Sequence, residues 1–397
     1  IINGVNMTGR ERLLTVLNGK RADKVPVTLF IQGQGHFITQ INPETDQWDF
    51  IAIQKNVIDY QKILGVDVHA RMLFFNPHKP VFAHLGHMNV DVETENWKVK
   101  TTEAQNGDTK LYKHEITTPE GILNQTFSIN ELRPGTFMYA CTEKPINNMD
   151  DLRIAMKYEP PLSEEVREEM KKNVQKVKAE VGESGILSAW TNGGLFNNIS
   201  GFIEHTMVYS VFLTDPDFYK EMMAFAKTRV FDFTQAVIDS GVDALCVGGN
   251  VAGGFLGEKF FDEYIREYET GYIDFIQSQG KPVIYHNCGE AMALVEPYKK
   301  MGIKNIEPFS PYPLGDGDLD ALAGMVSDEF TVTGGVDQVN VIQKGTVEDV
   351  ERLTLETLNK GKKFDRYILQ SADFLEYGTP IENVEAFARI GLANAEY

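Results

Sequence analysis

Residues 282–309 decide the fold. Pro282-Val283-Ile284-Tyr285-His286-Asn287 is a short apolar run closed by polar residues. Ala291 to Met301 then carries apolar side chains at helical spacing, and Asn305-Ile306-Glu307-Pro308-Phe309 is a second short run. A strand, a helix and a strand within about thirty residues make a parallel crossover unit. The unit recurs on either side. Candidate strands are Val25 to Phe30, Asp67 to Leu73, Ile186 to Trp190, Ala244 to Gly249, Pro282 to Asn287, Asn305 to Phe309, Phe330 to Val336 and Tyr367 to Ala372, eight in all. Candidate helices are Thr8 to Leu17, Trp48 to Leu64, Asp215 to Ile238, Glu258 to Gln279, Ala291 to Met301, Thr346 to Asn359 and Ile381 to Leu392. Eight strands with intervening helices predict an α/β fold of the (β/α)8 TIM-barrel type, and disfavour two Rossmann-like halves.

One stretch breaks the alternation. Between Phe74 and Cys141, Trp97 to Thr102, Lys110 to Thr118 and Ile122 to Ile129 read as antiparallel strands, with Gln105-Asn106-Gly107-Asp108 as a turn. The expectation is one barrel domain over 7–397 carrying a β-rich insertion after its second strand, at about 74–145. The charged stretch Ser163 to Glu183 reads as a solvated helix. Met7-Thr8-Gly9-Arg10-Glu11-Arg12 reads like a true start with Thr8 as helix cap, so 1–6 are taken as a remnant of the expressed sequence and left out of the fold.

The 397 residues are 42% hydrophobic and 24% charged, the composition of a folded chain with a large core. With 38 basic against 57 acidic residues the formal net charge is −19, which argues against nucleic acid or an anionic membrane surface as partner. No apolar run is long enough to span a bilayer, and Cys141, Cys246 and Cys288 are too few and scattered for a disulfide framework. Both point to a soluble, cytoplasmic protein. The oligomeric state, a homo-oligomer included, stays open.

Chemistry in such barrels sits at the C-terminal ends of the strands. His286 and Cys288 are two apart, so strand alternation aims both at the same side, where one ion can be reached. An isolated His-x-Cys reads as core packing. The neighbouring strand ends change that, because the sixth closes with Glu307 and the eighth with Asp373. Imidazole, thiolate and carboxylates converging at a barrel mouth suit Zn²⁺. Trp190, Asn192 and Asn250 lie at or just after the third and fourth strand ends, and Gln32, Gln34 and His36 follow the first; these are the candidate substrate-binding residues. The glycines beside them (Gly193, Gly194, Gly248, Gly249) suit either close approach of a large planar cofactor or tight turns. Cys246 lies within a strand and reads as core.

From Met7 onward the chain resembles the uroporphyrinogen decarboxylase superfamily and, within it, the zinc-dependent cobamide methyltransferases. The resemblance rests on Met7 to Arg12, Asp23-Lys24-Val25-Pro26-Val27, Leu213-Thr214-Asp215-Pro216, His286-Asn287-Cys288-Gly289, Gly334-Gly335-Val336-Asp337 and Gly378-Thr379-Pro380-Ile381-Glu382-Asn383-Val384. It implies zinc held by a His-x-Cys pair, a glutamate one strand on and a cysteine on the last strand. His286, Cys288 and Glu307 match three of these, and Asp373 stands where the cysteine is expected, a departure that weakens a thiol-methylating role. The decarboxylase branch carries a segment like Arg-Gln-Ala-Gly-Arg after the first strand. Here that segment is Ile31-Gln32-Gly33-Gln34-Gly35-His36, without either arginine, which removes about 1.5–3 kcal/mol of carboxylate binding per lost contact.

Asp67-Val68-His69 begins like the Asp-x-His-x-x-Gly motif of corrinoid-binding domains, but Met72 replaces the glycine, so a corrinoid is expected on a separate partner protein. The resemblance therefore implies methyl transfer between a small methylated substrate, a methyl ether favoured, and the cobalt of that partner. Glu307 and Asp373 are the expected catalytic carboxylates as well as zinc ligands. The alternatives are the reverse reaction onto a thiol, a metal-free decarboxylase, and a non-catalytic binding barrel.

Overall fold

The computed structural model describes residues 6–32, 37–46, 48–74, 93–133, 136–191, 193–326 and 330–397. Contacts group the chain into two compact units: Ile1–Met72, Val174–Trp190 and Val242–Tyr397 form one, and Leu73–Asn173 and Thr191–Gly241 the other.

The first unit holds seven parallel strands: β1 (Val68–Met72), β6 (Gly185–Trp190), β7 (Ala244–Gly248), β8 (Val283–His286), β9 (Asn305–Glu307), β10 (Thr331–Thr333) and β11 (Tyr367–Ile368), hydrogen-bonded in that order. The chain segment expected as the first strand closes the ring. Leu369 N donates to Pro26 O and Thr28 N to Leu369 O on one side, and Asp67 N donates to Val27 O on the other, each at 2.9 Å. It is thus a single bridge at Val27 and not the continuous strand Val25 to Phe30 that its composition suggests. The reason is local: Pro26 has no N–H to give, and Val27 N turns to the Asp67 carboxylate at 3.3 Å. The fold is the (β/α)8 barrel of the sequence reading.

The helix Gly9–Leu17 starts at a capping box, with Thr8 and Glu11 exchanging hydrogen bonds. Its Leu13, Val16 and Leu17 pack with Ile186, Ala244, Cys246, Ile284 and Ile368 in the barrel core, so Cys246 is core as expected. Asn305 Nδ2 and Thr331 Oγ1 reach the carbonyls of Leu17 and Val16, tying that helix to β9 and β10. Because strand N-termini thus face this helix, polar side chains at the opposite strand ends are left to form a site.

Several boundaries differ from the sequence reading. Glu258 to Gln279 is not one α-helix, since a π-helical turn over Phe261–Ile265 separates Gly257–Phe260 from Arg266–Ser278. Ala291 to Met301 opens as a 3-10 turn before the α-helix Val295–Lys300, whose Pro297 falls within its first turn. Strand β10 stops at Thr333 because Gly334 takes φ 124, and pairing resumes only at Val336 with Ser371.

The second unit contains the antiparallel sheet β2 (Lys98–Asn106), β3 (Thr109–Thr118), β4 (Gly121–Arg133) and β5 (Thr136–Glu143). The Asn106 to Thr109 pair leaves Gly107-Asp108 as a two-residue turn with Gly107 at φ 61, as the sequence suggests. The fourth strand extends the expected three. Residues 75–92 of the expected insertion lie outside the described residues. The long helix Pro216–Asp239 in the same unit is capped by Asp215, with proline at its first position. Among the described residues no helix is long and apolar enough to cross a membrane.

Candidate metal centre

Strand β8 alternates Ile284 and His286 to one side, and since Ile284 belongs to the barrel core, His286 also projects inward, at the C-terminal end. The loop that follows is pinned by Asn287. Its backbone N–H donates to Glu307 O at 2.8 Å, its Nδ2 to Glu290 O and the Tyr298 hydroxyl, and its Oδ1 accepts from Gly289 N. Those bonds fix the intervening Cys288. Asp373, past the end of β11, accepts from Phe374 N at 2.8 Å.

The structure brings His286, Cys288 and Asp373 together: one ligand atom from each lies within 4.8 Å of the others. Donors around a tetrahedral zinc stand roughly 3.3–3.8 Å apart, a spacing within reach of small side-chain adjustments, and the N, S, O set is one that zinc accepts. The residues fit the ion. Asn250 joins them, its Nδ2 donating to Cys288 Sγ at 3.4 Å. Burial, then the Asp373 carboxylate, push the Cys288 thiol up to about 12 in the metal-free protein.

Glu307 is placed differently from the sequence expectation. It is the register partner of His286 across β8 and β9, but its carboxylate is held by both terminal nitrogens of Arg71, at 2.7 and 2.6 Å, with each side chain 1% exposed. It lies outside the His286, Cys288 and Asp373 cluster, and Oε1 stands 3.5 Å from His286 Nδ1. Burial alone would raise the Glu307 carboxyl; the charge of Arg71, its two hydrogen bonds and the nearby His286 ring outweigh it and hold the group well below the usual carboxylate range.

Arg71 was not among the residues singled out from sequence. It crosses the barrel interior from β1, donating also to Cys246 Sγ on β7 and Gln370 Oε1 after β11, and its guanidinium lies 4.1 Å over the Phe30 ring. His69, two residues before it and on the same face, bonds Ser188 Oγ at 2.8 Å and Arg71 at 3.0 Å. Burial, then the Arg71 charge, bring the His69 imidazole down to about 3. Asp67 pairs with Arg12 at 2.5 Å. Both polar residues of the cobalt-like motif are thus engaged by other residues of the fold, His69 in the barrel interior and Asp67 at the end covered by the first helix.

Trp190 ends β6 half-buried, edge-on to His286 at 5.0 Å, and Phe30 packs on both rings. Gln32 is half-buried two residues past Phe30; Gln34, His36 and Asn192 lie outside the described residues. A Cβ on Gly249 would meet the Tyr285 ring at 2.4 Å, so side-chain packing accounts for that glycine, and Gly193 takes φ 78, a backbone angle that favours glycine.

A family model described as uroporphyrinogen decarboxylase (URO-D) matches residues 134–391. The chain belongs to the uroporphyrinogen decarboxylase family. Among its relatives, it is 24% identical over 216 residues to uroporphyrinogen decarboxylase from Nitratiruptor sp., covering 53% of this chain and 61% of that one. It is 22% identical over 149 residues to a methylcobamide:CoM methyltransferase from Methanosarcina mazei, covering 37% and 42%. A methylated-thiol–coenzyme M methyltransferase of the same organism is 28% identical over 108 residues, 27% of each chain. Each match thus spans less than two thirds of the relative. A solved methyltransferase from Methanosarcina mazei shares the fold across 97% of this chain and 98% of its own, with a TM-score of 0.67 at 14% identity.

Proposed function

We propose that this family member is a zinc-dependent methyltransferase that moves a methyl group between a small methylated substrate and the cobalt of a corrinoid carried by a partner protein. The observation that carries the reading is the convergence of His286, Cys288 and Asp373 at the strand ends of a barrel. Two of the three curated relatives named above are methyltransferases, and neither arginine of the decarboxylase segment is present in 31–36.

His286, Cys288 and Asp373 would hold the zinc, which supplies a Lewis acid for the oxygen or sulfur that parts from the methyl group. Cys288 gives up its proton to serve as a ligand, and the Asn250 amide is placed to donate to the resulting thiolate. With one thiolate and one carboxylate the donor set is harder than one with two thiolates, which favours an oxygen substrate and hence a methyl ether donor. Phe30 and Trp190 supply an apolar wall beside His286.

The test combines metal analysis of protein purified without added zinc with a methyl-transfer assay. One zinc per chain is expected, together with a methylation-dependent change in the visible spectrum of free cob(I)alamin or reduced corrinoid protein when methoxylated aromatics, methylamines or methanol are supplied. The reverse assay offers thiols to the methylated corrinoid, and success there alone would assign the opposite direction. Decarboxylation by the metal-free chain, with no methyl transfer in either direction, overturns the proposal.

A further inference from the structure

The Arg71–Glu307 pair lies beside His286 and outside the donor cluster. Glu307 Oε1 and Oε2 accept from Arg71 Nη1 and Nη2 at 2.7 and 2.6 Å, a bidentate fork that fixes the carboxylate plane as well as its position. The fork is itself held. Arg71 Nη1 also reaches Cys246 Sγ at 3.3 Å, Nη2 reaches His69 Nδ1 at 3.0 Å and Gln370 Oε1 at 3.3 Å, and Phe30 lies under the guanidinium. His69 is anchored in turn by Ser188, and Gln370 by Thr28 Oγ1 at 3.0 Å. His286 Nδ1 on the neighbouring strand is buried and makes no hydrogen bond at this separation; Glu307 Oε1, with a lone pair to spare, stands 3.5 Å from it.

We infer that Arg71 is a positioning residue. It locks Glu307 beside His286 Nδ1, so that this nitrogen carries the proton and Nε2 keeps the lone pair for a metal. Glu307 in this arrangement orients a ligand and is not one, because leaving the fork would strand a buried guanidinium. Strands on opposite sides of the barrel are joined through Arg71, so the orientation of His286 depends on a residue far from it in sequence. The metal part of this inference rests on the proposed zinc site; the tautomer part does not.

Two measurements on the full chain test it. In metal-free protein labelled with ¹⁵N-histidine, the His286 ring is expected as the Nδ1–H tautomer. The Nε2–H tautomer in the wild-type chain overturns the inference whether or not zinc binds. The second is zinc affinity by chelator competition. Removing an outer partner of a metal-bound histidine weakens affinity roughly 10- to 100-fold, the loss expected for Arg71→Met and for Glu307→Gln. If Arg71 acts through Glu307, the double variant binds zinc no more weakly than Glu307→Gln alone. Should Arg71→Met fail to fold, Arg71→Lys keeps the charge but not the fork and is expected to show weakened binding too. Wild-type affinity in Arg71→Lys and in the folded double variant reduces Arg71 to packing and overturns the inference. Absence of zinc from the wild-type chain overturns the proposed function and the metal part together, and leaves the tautomer result to decide the rest.

Discussion

Asn250 Nδ2 donates to Cys288 Sγ across 3.4 Å, bringing the turn after β7 against the thiol that follows β8. Two neighbours therefore act on this sulfur with opposite sign. The amide N–H favours the thiolate, while burial, then the Asp373 carboxylate, favour the protonated thiol and push it up to about 12 without metal.

The balance predicts what Asp373→Asn does. Removing a negative charge beside the sulfur lowers the thiol pKa, raises the thiolate fraction at pH 8, and speeds alkylation of metal-free protein by roughly three- to tenfold. The readout is the iodoacetamide rate at the Cys288 peptide by mass spectrometry. Cys246, buried in the barrel core and pushed up to about 11, serves as the unreactive internal control. An unchanged Cys288 rate would separate Asp373 from the thiol and remove it from the site. The same variant is expected to lose zinc affinity, so faster alkylation and weaker metal binding should occur together.

A thiol that is protonated throughout the accessible pH range must release its proton when zinc binds. Apparent zinc affinity is therefore expected to rise by about tenfold per pH unit between pH 7 and 9, one proton leaving Cys288 per ion bound. Chelator competition at several pH values measures the slope. A flat profile would mean that Cys288 binds no metal, and Cys288→Ala would then retain its zinc.

His286 and Cys288 were legible as candidates because strand alternation is a local rule, and Asp373 because it closes the expected eighth strand. Arg71 was not. Its carboxylate partner is 236 residues away, and the sequence around it invites comparison with a cobalt-binding motif that the barrel uses for other contacts. The reading of Glu307 as a zinc ligand was made without that arginine, which takes both carboxylate oxygens. The barrel itself was readable from the recurrence of strand and helix. Its exceptions trace to particular residues: Pro26, which limits the first strand to one bridge, and Gly334, which interrupts the seventh of the expected strands. The π-helical turns at Phe261–Ile265 and Gln338–Gln343 have no periodic signature to read.

Gly249 offers a test of packing behind the site. Its φ of −119 and ψ of 6 are open to any residue, so a side chain there is opposed by space and not by backbone strain. An added Cβ would stand 2.4 Å from the Tyr285 ring, whose other neighbour is Tyr298 at 5.1 Å between centroids. Gly249→Ala is expected to destabilise the protein by about 1–3 kcal/mol in urea unfolding, the usual cost of overpacking. On a Tyr285→Leu background the penalty of the added methyl should largely vanish. If it persists there, the clash lies elsewhere.

Trp190 allows the substrate preference to be tested apart from the metal. Its ring is half-buried at the end of β6, stacked on Phe30 at 6.4 Å and edge-on to His286 at 5.0 Å, while Phe374 meets Phe30 at 6.3 Å. An aryl methyl ether can lay its ring against such a wall, a contact of about 0.5–1.5 kcal/mol, whereas methanol has no ring to stack. If Trp190 binds substrate, Trp190→Ala should raise KM for a methoxylated aromatic roughly two- to tenfold with little change in kcat, and leave KM for methanol unaltered. The alternative role for the ring is to steady His286. That role predicts a fall in kcat for both substrates and weaker zinc binding, since a loosened imidazole serves every donor equally badly. Zinc content measured on the same preparation therefore decides between a substrate wall and a support for the ligand. Unchanged kinetics with both substrates would leave Trp190 as packing alone and would remove the structural basis for preferring an aromatic ether.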